Sequence, residues 1–290
     1  MLKKIVILIM VLLLVACADR KDGSNTVFYS GKDSYGRDVV LQKEPQRVVS
    51  LSPAITEMMY LLGAEDKLVG VSSFCTFPPE VERIPKVADL LNVNPESVLA
   101  LNPDLILIGS VVSDKTVKQF EKAQVPVFAV KEERHLADMT RMVETLGVLL
   151  NKKSEADSLK KVFERRLERY QSEVKPMDKK VYYVVGYGLR DFTAAGNTFI
   201  HDIITLAGGK NVGAPLTSWE ISREYLFEQD PDYIFIRKED MENFCKTYPY
   251  TLLTAVKENR VYPIESGWID ILSPRNYDAV EYISSVIAGE

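Results

Sequence analysis

The sequence has few of the side chains on which metal centres depend. It contains two histidines and three cysteines among 290 residues. A site for a bare Zn²⁺ or Mn²⁺ ion needs several imidazole, thiolate or carboxylate ligands close together. We expect His135 at the start of a helix and His201 inside another. The composition therefore argues against a protein that coordinates a metal ion directly.

Signatures of catalysis and of nucleic-acid binding are also missing. The chain has no G-x-S-x-G elbow, no phosphate-binding loop and no H-E-x-x-H motif, and its Gly-containing turns do not fit a dinucleotide fingerprint. No acid–base constellation accompanies the two histidines, so we predict that the protein is not an enzyme. The net charge is −5 with both signs interspersed, whereas a nucleic-acid partner would require a basic stripe.

The N-terminus combines two lysines with an apolar run over 5–16 that is short for a bilayer span. The following "LVAC" resembles a bacterial lipobox, in which the Cys becomes the lipid-modified first residue of the processed protein. This predicts a signal peptide over 1–16, lipidation at Cys17 and a flexible tether over 17–25. An ordinary signal peptide and a short membrane anchor are the alternatives.

Strands and helices alternate in two blocks of the remaining chain. After a predicted β-hairpin over 26–41, short apolar runs alternate with helical segments up to residue 150, and the alternation resumes over 177–290. Continuous apolar strands between helices are typical of parallel sheets covered on both faces. We therefore predict an α/β fold with an N-terminal lobe over 26–150 and a C-terminal lobe over 177–290, in which 250–260 forms a helix.

A single long helix is predicted between the lobes. Apolar residues recur at three- and four-residue intervals through the highly charged segment 151–176, which predicts one buried stripe and a solvated outer face. Pro176 ends the pattern. Such a rod restricts lobe motion to small rocking. We also expect Cys75 and Cys245, 170 residues apart, to be free buried or half-buried thiols. A disulfide that would lock the two lobes together is the alternative.

Two distant segments repeat one pattern. "NPESVLALNPDLILI" (94–108) and "SREYLFEQDPDYIFI" (222–236) each place a Pro-Asp pair seven residues after a Glu, before four apolar or aromatic residues. Glu96 and Glu224 correspond at an offset of 128 residues. We predict that each segment is a short helix leading into a sheet strand, at equivalent places in the two lobes.

Several segments resemble the substrate-binding proteins of ABC importers for vitamin B12, ferric siderophores and haem. The resemblance spans nearly the whole processed chain. It is carried in order by the segments 33–72, 77–107, 197–212, 221–236 and 267–275, the last of which reads "GWIDILSPR". It implies two lobes joined by a rigid helix, a metal chelate bound between them, and a membrane permease with its ATPase subunits as partners. The lipobox predicts that the protein is anchored outside the inner membrane by lipid alone, and we expect a monomer.

The resemblance also implies roles for the repeated glutamates. In that family, one Glu at the tip of each lobe docks against arginines of the permease, and Glu96 and Glu224 occupy the matching positions. A carboxylate in the first turn of a helix is favoured by the positive helix end, and arginines bind carboxylates through charge-assisted contacts. The alternative is that each Glu only stabilises its own helix.

The candidate ligand-binding residues are aromatic and cationic side chains in loops that follow predicted strands. A cleft at the carboxyl ends of parallel strands is the usual place for a ligand, and a planar chelate would stack on aromatic faces while arginines meet its acidic groups. These residues are Phe74, Phe77, Tyr187, Arg190, Phe192, Trp219, Trp268 and Arg275. Aromatic residues that merely fill the core are the competing interpretation.

The identity of the ligand stays open at this point. The segment "VSSFCTFPPEV" is nearer to cobalamin-binding members, but no aromatic residue stands near Leu90, and Gly267 and Ile271 occupy positions where polar contacts are expected. Iron chelates and haem are therefore retained beside cobalamin. The alternatives in function are a Zn²⁺- or Mn²⁺-binding importer lipoprotein and an adhesive surface lipoprotein.

Overall fold

The structure is a computed structural model, and it describes residues 27–89, 93–109, 112–130 and 134–289. The predicted signal peptide over 1–16, the lipidation site Cys17 and the tether over 17–25 lie outside these residues. Those three features therefore stay predictions.

The first lobe begins with a β-hairpin and continues as a parallel sheet. Its elements are β1 (Tyr29–Lys32), β2 (Asp38–Leu41), β3 (Val48–Ser50), α1 (Pro53–Leu61), β4 (Leu68–Ser72), β5 (Lys86–Ala88), α2 (Pro95–Leu99), β6 (Leu105–Ile108), α3 (Asp114–Lys122), β7 (Val127–Ala129) and α4 (Met139–Leu149). Strands β1 and β2 pair antiparallel, and the others form a parallel sheet in the order β5-β4-β3-β6-β7.

Both faces of this sheet are buried, which explains why its strands are continuously apolar. Successive residues of a strand point to opposite faces. Leu105 and Leu107 of β6 join a cluster with residues of α1 and α4, whereas Ile106 and Ile108 join a second cluster with residues of α2 and α3. Helices on both faces therefore leave no polar position in β6.

One long helix, α5 (Lys153–Glu173), connects the lobes. Its buried residues Ala156, Phe163 and Tyr170 recur every seven positions, as expected for a single buried stripe. Near its start it lies so close to α4 that a Cβ added to Gly147 would be 2.4 Å from the Cβ of Ala156. No helix in the described ranges is both long and apolar enough to cross a membrane.

The second lobe has a smaller parallel sheet. Its elements are β8 (Lys180–Val184), β9 (Asp191–Phe192), α6 (Phe199–Leu206), β10 (Lys210–Asn211), β11 (Glu220–Ile221), α7 (Arg223–Gln229), β12 (Tyr233–Arg237), α8 (Lys238–Lys246), α9 (Thr254–Lys257), β13 (Val261–Ile264), α10 (Ser266–Ile269) and α11 (Asn276–Ala288). The sheet order is β10-β8-β12-β13, and β9 pairs with β11 in a separate antiparallel ladder. The predicted architecture of two α/β lobes and a connecting helix is confirmed.

The long helix is packed onto this lobe by aromatic residues. Tyr170 of α5 stacks on Tyr277 of α11 with 5.7 Å between ring centroids, and the Tyr277 hydroxyl donates to the carbonyl of Phe163 at 3.1 Å. Both tyrosines are buried. These contacts tie the connecting helix to the last helix of the chain, while its packing on α4 ties it to the first lobe.

Two local differences from the sequence prediction occur after β12. The segment 250–260, predicted as one helix, is a 3₁₀ turn over Tyr250–Leu252 followed by the short α9, because Leu253 between them is extended (φ −63°, ψ 138°). Helix α8 was not predicted. Phe244 is its buried residue, so its sequence carries little apolar periodicity.

Candidate functional site

A cavity of about 380 Å³ lies between the two lobes. The cavity is open to solvent. It lies at the carboxyl ends of strands from both sheets, since Pro53 follows β3, Phe74 follows β4 and Ser266 follows β13. The lining residues are Pro53, Glu57, Ser73, Phe74 and Thr76 from the first lobe, and Ser266, Gly267, Asp270, Ile271 and Arg275 from the second. This is the position at which α/β sheets commonly bind ligands.

The loop after β4 carries two exposed aromatic rings, of which that of Phe74 lines the cavity. Phe74 is 51% exposed and Phe77 is 41% exposed. The loop that carries them is held by Cys75, whose buried thiol lies 3.2 Å from the Thr56 hydroxyl and whose carbonyl accepts from the Lys86 ammonium at 2.6 Å. A firmly attached loop with outward-facing rings is suited to contacting an apolar ligand face.

Both cysteines in the described part of the chain are free thiols, as predicted. Cys75 is buried in this loop, and Cys245 is half-buried on α8. Burial raises the pKa of the Cys245 thiol. Since both thiols are free, neither cysteine links the lobes covalently.

The second-lobe wall contains a hydrogen-bonded acidic residue, Asp270. Its carboxylate accepts from the Tyr183 hydroxyl at 2.9 Å and lies 3.1 Å from Nε of Arg237. Burial raises the pKa of Asp270, against the opposing charge of Arg237. Because Tyr183 belongs to β8 and Arg237 to β12, the Asp270 carboxylate is held in place by side chains of the sheet.

An ion pair crosses the cavity from one lobe to the other. Glu57 of α1 accepts two hydrogen bonds from the guanidinium of Arg275, which directly precedes α11. Glu57 is 4% exposed, and burial raises the pKa of its carboxyl although the hydrogen bonds from Arg275 act in the opposite direction. The guanidinium also stacks over the ring of Phe77, 4.2 Å from its centroid.

Gly267 provides the space that this arginine needs. A Cβ at position 267 would lie 2.1 Å from Nη1 of Arg275, which is closer than atoms can approach. The absence of a side chain, which counted against a polar ligand contact in the sequence, thus has a steric reason. Glu57 was not among the predicted site residues. A charged residue beside the buried Ile55 and Met58 was the signal that could have identified it.

The structure brings three of the eight predicted ligand residues together: Phe74 and Arg275 line the cavity, and Phe77 lies beneath Arg275. The other five do not line it. They are Tyr187, Arg190, Phe192, Trp219 and Trp268.

Two of these five pack mainly against their own lobe. Tyr187 lies edge-on to Phe244, with ring centroids 5.1 Å apart. Trp268 lies edge-on to Tyr282, with ring centroids 6.0 Å apart. Trp268 also packs against the main core cluster. For both rings the interpretation that aromatic residues fill the core is therefore the better description of these contacts.

The other three lie on the strands and loop of the small antiparallel ladder. Phe192 belongs to β9, Trp219 immediately precedes β11 and is 42% exposed, and Arg190 lies 3.6 Å from Glu220 as an exposed ion pair. A ligand role for these residues and for Tyr187 and Trp268 stays a prediction.

The repeated segments form equivalent helices, α2 and α7. The Asn94 side chain caps α2 by accepting from the Glu96 amide at 3.0 Å, and the Ser222 side chain caps α7 by accepting from the Tyr225 amide at 3.2 Å. Glu96 and Glu224 lie exposed in the two first turns. Neither glutamate forms an ion pair with any residue that the structure describes.

The repeated Pro-Asp pair has a structural role in each lobe. After each helix, one residue adopts a left-handed conformation, Asn102 with φ 47° and Asp230 with φ 39°. Asp104 then accepts from the Arg47 amide at 2.9 Å, and Asp232 accepts from the Lys180 amide at 2.7 Å.

These bonds attach the segment after each short helix to the start of a neighbouring strand, β3 in the first lobe and β8 in the second. The same basic residues reinforce the attachment with their side chains. The Arg47 guanidinium donates to the carbonyl of Leu101, and the Lys180 ammonium donates to that of Gln229 at 2.8 Å. The attachment explains the repeat of Asp. It gives no structural reason for the repeat of the exposed glutamates.

Two lobes with parallel sheets, a rigid connecting helix and a cavity between the carboxyl ends of their strands define a two-lobed binding protein. The chain belongs to the periplasmic binding protein family, whose sequence model matches residues 48–266. An ABC transporter substrate-binding lipoprotein of Bacillus subtilis, YvrC, is 30% identical over 88% of this chain and 84% of that protein. A vitamin B12-binding protein of Vibrio parahaemolyticus is 26% identical over 83% of this chain and 90% of that protein.

Solved structures share the fold. The haem-binding protein HutB of Vibrio cholerae matches with a TM-score of 0.75 and 21% identity over 83% of this chain and 98% of that one. The vitamin B12-binding protein BtuF of the same species matches with a TM-score of 0.70 and 23% identity over 84% of this chain and 97% of that one. At such identities the likeness establishes the architecture alone.

Family membership defines the general role of the protein. The family is a class of binding and transport proteins, and its substrate-binding members act with the permease and ATPase of an ABC transporter. Membership and the lipoprotein relative indicate an extracytoplasmic location in the cell envelope.

Proposed function

We propose that the protein captures a metal chelate in the cavity between its lobes and delivers it to the permease of an ABC importer. The chelate is a corrinoid such as cobalamin, a ferric siderophore or haem. The observation that carries this proposal is the inter-lobe cavity, which the exposed Phe74 lines from the first lobe and whose lining residue Arg275 rests on the exposed ring of Phe77. A relative that is named a vitamin B12-binding protein over most of the chain supports it.

The side chains favour a chelate over a bare metal ion. Within the described ranges, no group of three or more His, Cys, Asp or Glu residues is placed to hold a metal ion. The two histidines have other partners: Nδ1 of His135 lies 3.2 Å from Asp202, and Nδ1 of His201 lies 3.2 Å from the Asn211 amide. A chelate supplies its own metal ligands, so the protein needs only surfaces that fit its periphery.

We further propose that Glu96 and Glu224 are the contacts to the permease. Both are exposed in the first turn of a helix, and one helix belongs to each lobe. Neither carboxylate forms an ion pair with a described residue. Two fixed carboxylates present a matched pair of negative charges that arginines of the permease could bind. Lipidation of Cys17 would keep the monomeric protein at the membrane, with residues 17–25 as the tether.

Intrinsic fluorescence tests the ligand class, because the chain has two tryptophans, Trp219 and Trp268. The purified protein is titrated with cyanocobalamin, haem and a ferric siderophore. We expect saturable quenching by one of these chelates. No quenching by any of them, together with a rise in the unfolding temperature on addition of Zn²⁺, would favour the metal-ion importer instead.

A further inference from the structure

The ion pair between Glu57 and Arg275 occupies the place where a ligand has to enter. Both residues line the inter-lobe cavity. Glu57 comes from the first lobe and Arg275 from the second, so the pair spans the cleft. It is the one ion pair that lines this cavity from both sides among the residues described.

The guanidinium of Arg275 is held in position yet remains accessible. Its hydrogen bonds to Glu57 occupy Nε and Nη2, the ring of Phe77 supports one face, and Gly267 leaves room beside Nη1. The Arg275 side chain is 21% exposed, compared with 5% for Glu57. A group arriving in the cavity can therefore reach the arginine more readily than it can reach the glutamate.

We infer that Glu57 is a placeholder, which neutralises Arg275 in the unloaded protein and is displaced when an acidic group of the ligand binds the guanidinium. This inference rests on the proposed function and narrows it: the chelate carries a carboxylate or a phosphate on its periphery. The guanidinium fork suits both groups. Glu57 thereby becomes a residue that determines specificity, because any ligand group must compete with its carboxylate.

Displacement of Glu57 from Arg275 changes the pKa of the Glu57 carboxyl. Burial already raises the pKa of Glu57 while Arg275 is present, and loss of the arginine removes the interaction that opposes this rise. Displacement therefore shifts the Glu57 carboxyl further towards its protonated form, so we expect ligand binding to be accompanied by proton uptake. By linkage, the affinity for an acid-bearing ligand falls as pH rises, by up to about tenfold per pH unit.

Few other polar or charged groups face Glu57. The Ser273 hydroxyl and the Arg275 guanidinium hydrogen-bond its carboxylate from the second lobe. Among the described residues lining the cavity, Asp270 is the remaining titratable group. Burial raises the pKa of Asp270 too, so a variant at that position is required to assign the proton.

The test uses pairs of ligands that differ in acidic groups. Haem is compared with its dimethyl ester, which keeps the shape of the macrocycle, and cyanocobalamin with cobinamide, which lacks the phosphate together with the rest of the nucleotide. Isothermal titration calorimetry in HEPES and Tris, buffers of different ionisation enthalpy, gives the affinity and the number of protons taken up. The proteins are wild type, Glu57→Gln, Asp270→Asn and, as a control, Asp33→Asn, which alters a buried ion pair with Arg37 outside the cavity.

We expect the wild-type protein to take up protons when it binds the acid-bearing member of whichever pair binds. Glu57→Gln should abolish this uptake and tighten binding of that ligand at pH 8 by about tenfold, since the competing carboxylate is gone. Asp270→Asn and Asp33→Asn should retain the uptake. The ester or the phosphate-free ligand should bind without proton uptake.

Each failure has a distinct meaning. Binding of an acid-bearing ligand with no proton uptake, or with uptake that survives in Glu57→Gln, overturns the placeholder role and leaves the proposed function standing. Equal affinity for the acid and its neutral counterpart overturns it as well. If wild type binds neither pair nor any ferric siderophore, the proposed function itself fails, and the inference fails with it.

Discussion

Replacement of Arg275 by Met removes the counter-ion of Glu57 while retaining much of the side-chain volume. The Glu57 carboxylate, 5% exposed, then loses both of its hydrogen bonds from the guanidinium. Removal of one partner from a buried ion pair costs about 3–5 kcal/mol. Because the Arg275 side chain is itself 21% exposed, we expect a loss near the lower end, about 3 kcal/mol in the free energy of unfolding at pH 8.

The loss should depend on pH with a defined sign. In Arg275→Met, burial holds the pKa of Glu57 above its value in the unfolded chain, so the carboxyl resists ionisation in the folded protein. The destabilisation is therefore full at pH values above this raised pKa and decreases as pH falls and the carboxyl is protonated. Urea denaturation of both proteins at pH 8 and pH 5 measures the difference.

The double variant Glu57→Gln/Arg275→Met separates this effect from lost packing. Gln carries no charge to desolvate, so the double variant should be more stable at pH 8 than Arg275→Met alone. A deficit of the same size at pH 5 and pH 8, or a double variant no more stable than the single one, would contradict the reasoning. Either result would mean that Glu57 is not an ionised residue buried against Arg275.

Four further substitutions have expected outcomes. Asp104→Ala and Asp232→Ala each remove acceptors for strand amides, and each should lower the free energy of unfolding by about 1–3 kcal/mol in urea denaturation; unchanged stability would refute the attachment role. Phe74→Ala should weaken chelate binding about tenfold by calorimetry without a loss of stability, because its ring is exposed. Cys17→Ala should release the protein from cell membranes into the soluble fraction, and continued membrane retention would contradict lipidation.

The alternation of strands and helices was readable from the sequence because parallel strands have a simple signature. Strand β6, for example, is "LILI", buried at every position, and only a sheet covered on both faces requires this. The long helix α5 was also predictable, because Ala156, Phe163 and Tyr170 form an apolar stripe among mostly charged residues. Helix α8 was missed because Phe244 is its one buried residue.

The candidate site was predicted less completely, for a physical reason. Aromatic residues both fill hydrophobic cores and contact ligands. The sequence alone therefore does not distinguish Phe74, whose ring is exposed, from Tyr187, whose ring packs against Phe244. Glu57 and Arg275 are 218 residues apart. Their pairing depends on how the two lobes meet, which no local pattern records.

Uptake of the bound chelate by whole cells tests the central claim most directly. Cells producing Glu96→Arg/Glu224→Arg are compared with wild type and with Asp114→Arg/Glu155→Arg, a control that reverses two other exposed acids in first helical turns. We predict that the first variant loses uptake while the purified protein binds the chelate with wild-type affinity, and that the control transports normally. Normal uptake by the first variant, or loss of its affinity for the chelate, would contradict the account of a cleft that binds and a pair of glutamates that docks.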